Sequence, residues 1–254
     1  MKRFEGKVAL VTGATNGIGQ ATAVRLAAEG ALVAVNQRPT GDPSTTLREI
    51  KDAGGEAFPV IADMSEPQQI IDMVHEVAQR GGHIDYLVSN AAVNPLVPWN
   101  ETTLEQFDLI CNTNLRGTWV VTTETCKQMI AEGHGGAVVC VSSISAHVGS
   151  PFQTAYCATK AGISMLAKAL GSVMGEHGIR VNCVEPGAVF TNMSAPMMDE
   201  PDILKYYVDR IALHRIGDPS EMGGVIAFLL SEDASYVTSA TLLADAGFIV
   251  NAEL

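Results

Sequence analysis

Short β-branched runs alternate with longer stretches of helical period along this chain. KVALVT (7–12), LVAVN (32–36), AFPVIA (57–62), DYLVSN (85–90), AVVCVSS (137–143) and RVNCVEPG (180–187) predict strands, and ATLLADAG (240–247) is strand-like. Several are apolar almost throughout, as strands buried on both faces should be. Helical periodicity fills 17–30, 44–54, 66–80, 103–131, 153–176 and 219–231. The alternation predicts an α/β fold: a doubly wound, mostly parallel sheet of about seven strands with right-handed crossovers and flanking helices. No Pro/Ser-rich linker and no repeat divides residues 1–254, which read as one domain. The segment 188–214, with SAPMMDEPD, is poor in both periods and predicts a mobile lobe beside a site.

Charge and cysteine content narrow the function classes. With 16 Lys and Arg against 28 Asp and Glu, the net charge is 16 − 28 = −12, and no basic tract occurs. Nucleic acid and anionic membrane surfaces are therefore not expected as partners. Cys111, Cys126, Cys140, Cys157 and Cys183 form no C-x-x-C pair, which fits free thiols in a reducing compartment. The opening MKRFEGKVALVTG reaches glycine too soon for a secretory apolar region, and no apolar run is long enough to span a bilayer. These features predict a soluble cytoplasmic protein.

The first strand runs into TGATNGIG, residues 12–19. Gly13, Gly17 and Gly19 fall where strand becomes helix, among Thr15, Asn16 and Ile18. Glycine there permits a tight turn and close approach of backbone to a pyrophosphate, which the free N–H groups of the helix would meet. A glycine turn is also a common structural device. Its place after the first strand of an alternating chain favours dinucleotide binding.

The run QTAYCATKAG (153–162) puts Tyr156 and Lys160 four residues apart, on one face of a helix. A tyrosine with pKa about 10 is a poor base near neutrality, and lowering it by roughly 3 units takes about 4 kcal/mol. One cation at about 4 Å in a partly buried site supplies an interaction of that order. The pair is thus a candidate proton-transfer device, with an exposed helical pair as the plain alternative. His147 reads as a loop residue, because no second His or carboxylate is spaced with it as a metal or triad group; no metal site is expected.

These residues carry a resemblance. T-G-x-x-x-G-I-G, Asn90-Ala91-Ala92 after the fourth strand, Asn114 in NTNLRG, Ser143, Tyr156-x-x-x-Lys160, and Pro186-Gly187 with Thr191 resemble the short-chain dehydrogenase/reductase family from Lys7 to about Asn251. The resemblance implies a single Rossmann-type domain, an NAD or NADP cofactor, and hydride transfer between an alcohol and a carbonyl. It implies Tyr156 as the base, Lys160 as its cation and a ribose contact, Ser143 as holder of the substrate oxygen, and Asn114 as support for a water beside Lys160. It places Asp63 and Met64 near the adenine, although Asp63 also suits a helix N-terminus. Asn90 would fix the cofactor-side backbone, while Pro186, Gly187, Val189 and Thr191 would meet the nicotinamide half. Two positions depart from the family pattern: Ala92 stands for a usual glycine, and LADAG replaces a double glycine after Asp245.

Cofactor choice should be legible at the end of the second strand, where an acid favours NAD and an arginine accommodates a 2′-phosphate. Here Gln37 takes the acid's position and Arg38 follows, which predicts NADP preferred with NAD also used. Longer stretches, among them IKDAGGEAFPVIADMSE and TLLADAGFIVN, resemble bacterial aldose 1-dehydrogenases, the glucose and L-rhamnose enzymes among them. A sugar substrate would suit Asn94, Ser145, His147 and Gln153, each of which is equally ordinary loop polarity. The alternative is a 3-oxoacyl thioester reductase, and a nucleotide-binding relative without turnover is a third reading. Family members commonly form tetramers through the helices 103–131 and 153–176. Leu109, Trp119, Met165 and Leu166 could supply that surface, or simply pack the core.

Overall fold

Val8, Ala9, Leu10 and Val11 are all buried, so the first strand must be covered on both faces. The computed structural model, which describes residues 2–251, meets that demand with one parallel sheet. Its strands are β1 (Val8–Val11), β2 (Leu32–Gln37), β3 (Glu56–Ile61), β4 (Tyr86–Ser89), β5 (Gly136–Val141), β6 (Ile179–Pro186) and β7 (Thr241–Ala244). Their order is β3-β2-β1-β4-β5-β6-β7, so the chain reverses direction across the sheet between β1 and β4. A crevice opens at such a switch point, outside the carboxyl ends of the strands.

The helices are α1 (Gly17–Ala28), α2 (Ser44–Asp52), α3 (Pro67–Gly81), α4 (Leu104–Ile110), α5 (Gly117–Glu132), α6 (Thr154–Met174), α7 (Ala195–Met198), α8 (Pro201–Arg210) and α9 (Pro219–Leu230). Side chains alternate across each strand. Ala9 and Val11 therefore join Ala23, Leu26, Ile226 and Leu230 of α1 and α9 on one face. Leu10 joins Val74, Val121 and Ile163 of α3, α5 and α6 on the other. Each Val, Leu or Ile among them contributes about 1.5–3 kcal/mol by leaving water. Pro59 sits in β3, an edge strand that can spare its N–H.

Two segments differ from expectation. The long helix over 103–131 is broken by a π-helical turn at Cys111–Arg116, between α4 and α5. Its start is as the TLEQ spacing indicates: Gln106 N donates to Thr103 Oγ1 at 3.3 Å and Thr103 N donates to Gln106 Oε1 at 3.0 Å. The 188–214 segment is not aperiodic but carries α7 and α8. Met198 and Ile211 from it pack with Ile144, Ile216 and Phe248 into a small separate core.

The two departures from the family pattern have different structural consequences. Ala92 is not among the left-handed non-glycine residues, which are His214, Ser239 and Ala246 within the described chain. Ala246, at φ 52°, is one of them, and a Cβ there costs about 1–2 kcal/mol. Asp245 holds the turn by accepting from Gly247 N at 2.9 Å and Ile249 N at 2.8 Å. Ala246→Gly is expected to stabilise the protein by up to about 1 kcal/mol, because relief of strain exceeds the added unfolded-chain entropy. Thermal denaturation should show a Tm higher by about 2–4 °C.

Candidate active site

The glycine turn between β1 and α1 is built by polar residues that the periodicity hides. Gly13 and Gly17 take φ of 61° and 56°, which glycine alone adopts freely. Buried Asn36, at the end of β2, accepts from Gly13 N at 3.1 Å. Asn90 Nδ2 donates to the carbonyls of Thr12 (3.0 Å) and Gly13 (3.1 Å), while Thr12 Oγ1 accepts from Asn90 N at 2.9 Å. Thr46 Oγ1 donates to Ala14 O at 2.9 Å. The turn is therefore pinned from β2, α2 and β4 together. Asn36 and Thr46 do not stand out in the sequence, because inside an apolar strand or on a helix face they look like ordinary filler.

A cavity of about 400 Å³ opens over this turn at the switch point. It brings together Gly13, Thr15, Asn16, Gly17 and Ile18 of the turn, Gln37, Arg38, Asp63, Met64 and Asn90 beside it, and Pro186, Gly187, Val189 and Thr191 after β6. Ser143, Ser145, Gln153, Tyr156, Lys160 and Asn94 line the same space. The lobe adds Met193, Met197, Met198 and Tyr207. Gly19, Asn114 and His147 are not on its walls. Gly19 lies directly under the turn. His147 is drawn away, its Nε2 2.6 Å from Glu185 Oε2, so the carboxylate partner that spacing did not reveal exists.

Asn114 sits in the π-helical turn, a local widening that is frequent at functional sites. Fully buried, it accepts from Val93 N at 2.8 Å and donates to Val93 O at 2.9 Å, and so fixes the segment that carries Ala92 and Asn94. Asp63 Oδ1 accepts from Ser65 N (2.8 Å) and Ser65 Oγ (2.7 Å), which shapes the chain entering α3.

The reactive groups are close together and dry. Tyr156 is 8% exposed and Lys160 2%. Lys160 Nζ lies 5.4 Å from the Tyr156 ring centroid and donates to Val141 O at 2.8 Å. Burial pushes the Tyr156 phenol up to about 12, with the hydrogen bond to Ser143 acting the other way. Burial pushes the Lys160 ammonium down to about 8. The chain alone thus does not lower the phenol as the i, i+4 spacing suggested. The lysine's charge is spent on a carbonyl and on the ring face, and desolvation dominates both groups. Ser143 Oγ accepts from Ser145 N at 3.1 Å at the start of a short 3-10 turn (Ile144–Ala146).

The lining fits a dinucleotide. A Cβ on Gly13 would stand 2.8 Å from Ala91 Cα, so the backbone there is bare by necessity. Gln37 Oε1 and Asn94 Oδ1 are buried without a hydrogen-bond partner among the described residues. Such an atom costs about 1–3 kcal/mol unless a ligand satisfies it. No group of His, Cys, Asp or Glu able to hold a metal occurs among the described residues.

A family model described as enoyl-(acyl carrier protein) reductase matches residues 13–249. The chain belongs to the short-chain dehydrogenase/reductase family. It is 38% identical over 252 residues to an L-rhamnose 1-dehydrogenase (NAD(P)(+)) of a Sphingomonas species, covering 99% of each chain. It is 36% identical to a 3-oxoacyl-(acyl-carrier-protein) reductase of Thermotoga maritima, covering 98% of this chain and 100% of the other. Among solved structures, a gluconate 5-dehydrogenase of Burkholderia cenocepacia in complex with NADP and tartrate superposes with a TM-score of 0.92 at 29% identity, covering 99% of both chains.

Proposed function

We propose that this chain oxidises the anomeric hydroxyl of an aldose to the lactone, with NADP preferred and NAD also used. The observation that carries the reading is the meeting of Ser143, Tyr156 and Lys160 with polar Asn94, Ser145 and Gln153 in the cavity over the glycine turn. The relative named L-rhamnose 1-dehydrogenase supports a sugar. Met193, Met197, Met198 and Tyr207 form an apolar side that suits the methyl of a 6-deoxy sugar better than a hydroxymethyl.

The residues divide the work. Gly13, Thr15, Asn16, Gly17 and Ile18 would cradle the pyrophosphate, with Gly19 beneath them; Asp63, Met64 and Asn90 would flank the adenine half, and Pro186, Gly187, Val189 and Thr191 the nicotinamide. Bound NADP supplies the hydride acceptor. Ser143 holds the reacting oxygen, Tyr156 takes the hydroxyl proton, and Lys160 offsets the phenolate charge. Asn114 fixes the Val93 segment beside them. Gln37 explains tolerance of both cofactors: its amide accepts from a ribose hydroxyl in one orientation and donates to a phosphate in the other.

The thioester reading rests on the Thermotoga relative, but a net charge of −12 is a poor match for an acidic carrier protein. A panel of L-rhamnose, L-mannose, glucose and acetoacetyl thioester, followed at the absorbance of reduced nicotinamide, separates the two. L-rhamnose should exceed L-mannose in kcat/KM by about 10-fold or more, the worth of one buried apolar group. Turnover of the thioester alone would replace the sugar reading. Arg38→Ala should raise the KM for NADP by about 10-fold and leave that for NAD unchanged, since it removes one charge-assisted phosphate contact worth about 1.5–3 kcal/mol.

The chain forms, in this reading, a homotetramer in the cytoplasm. Leu109 (47% exposed), Trp119 (52%) and Met165 (63%) project from α4, α5 and α6, leaving apolar surface for neighbouring copies. Light scattering at micromolar concentration should give four times the chain mass. Five free cysteines suit a reducing compartment, and no described helix is long and apolar enough to cross a membrane.

A further inference from the structure

Glu185 is a buried carboxylate, 1% exposed, at the end of β6 and directly before the Pro186–Gly187 turn. Neither hydride transfer nor proton transfer needs it. Both of its oxygens are nevertheless committed. Oε1 accepts from Ser164 Oγ at 2.6 Å. Oε2 lies 2.6 Å from His147 Nε2, within hydrogen-bond distance.

The two partners belong to different elements, Ser164 to α6 and His147 to the end of the Ile144–Ala146 turn. Ser164 follows Lys160 by one turn of α6; its hydroxyl lies 3.3 Å from Lys160 O and 3.0 Å from Ser142 Oγ. Ser142 Oγ in turn donates to Lys160 O at 2.7 Å. His147 closes the single 3-10 turn that begins at Ser143. Within that turn two backbone bonds, Ala146 N to Ser143 O (3.0 Å) and His147 N to Ile144 O (2.9 Å), hold the shape. One isolated 3-10 turn is weak, so an anchor at its far end decides where it sits.

We propose that Glu185 and His147 form a positioning pair that locks the Ser143–Ser145 turn to α6, and thereby sets the substrate oxygen against Tyr156. The inference rests on the roles given above to Ser143 and Tyr156. A contact between a buried carboxyl and a half-exposed imidazole is a poor stabilising device, because desolvation of the carboxyl offsets most of the attraction. What the pair supplies is geometry. A displacement of about 1 Å at a reacting group is enough to cost up to about 100-fold in rate.

His147→Ala is the first test, since its half-exposed ring leaves the core intact. It should lower kcat/KM about 10-fold while the Kd for NADP stays within about twofold. His147→Gln, whose amide N–H can reach the carboxylate, should recover most of that loss. Combined with Glu185→Ala, His147→Ala should add little, because the two act as one unit. Each assay uses whichever substrate of the aldose and thioester panel the wild type turns over. Failure of the sugar reading is then visible in the wild type alone, apart from the fate of the pair. An unchanged kcat/KM in His147→Ala, or a Gln variant no better than the Ala variant, overturns the proposal. Should Glu185→Ala fail to fold, the two His147 variants decide the matter.

Discussion

Tyr156→Phe is expected to lower the rate of sugar oxidation at least about 100-fold, the scale of a positioned acid–base group, with fold and cofactor affinity retained. The substitution removes one oxygen from a side chain that is 8% exposed and leaves the ring packed against Ile110 and Ala155. Magnitudes show what the phenol needs. With its pKa at about 12, ionisation at pH 8 costs about 5 kcal/mol. Lys160 Nζ, 5.4 Å from the ring centroid, is already in place at that value. The positive charge of an oxidised nicotinamide in the same cavity would supply the lowering. Only the phenolate can accept a proton, so oxidation should rise with pH, with an apparent pKa well below that of the free protein. The ultraviolet difference titration of wild type against Tyr156→Phe, without cofactor, should place the phenol above pH 10. Lys160→Met should reduce rate and cofactor affinity together. If Tyr156→Phe keeps wild-type turnover and Lys160→Met only lowers the Tm, the pair is structural.

Much of this arrangement is legible in the chain because its strands are apolar on both faces. Val8–Val11 and Ala137–Val141 could hardly be anything but central strands. The glycine turn and the Tyr156–Lys160 spacing are local in sequence and survive translation into space. What is hidden has specific causes. Helix α8 is amphipathic, with Leu204, Tyr207 and Val208 turned to the small core, but it spans only ten residues and buries none of them fully. The π-helical turn at Cys111–Arg116 has the composition of ordinary helix. Glu185 and His147 meet across strands and a loop, beyond any spacing rule. Helical spacing places Lys160 near the phenol, but only the tertiary structure shows Val141 O taking its ammonium.

Gly19→Ala should weaken NADP binding at least about 10-fold, a loss of about 1.4 kcal/mol, and lower the Tm as well. Glycine to alanine in a helix ordinarily gains about 1 kcal/mol. At Gly19 the new Cβ would stand 2.3 Å from Gly13 O and 2.5 Å from Asn90 Nδ2. Neither neighbour is the free end of a flexible side chain. Gly13 O belongs to the turn itself, and Asn90 Nδ2 is engaged with the carbonyls of Thr12 and Gly13. Overpacking of this kind costs about 1–3 kcal/mol, which exceeds the helical gain. Relief requires the turn to move off the α1 N-terminus, where its N–H groups would meet the pyrophosphate. Gly224 in α9 provides the control. A Cβ there would meet only Arg25 Nη1, at 3.8 Å, so Gly224→Ala should raise the Tm and leave NADP binding unchanged. Opposite signs for the two substitutions, read by thermal denaturation and cofactor titration, are the expected result. A Gly19→Ala protein that binds NADP like wild type would mean that the glycine turn does not hold the cofactor.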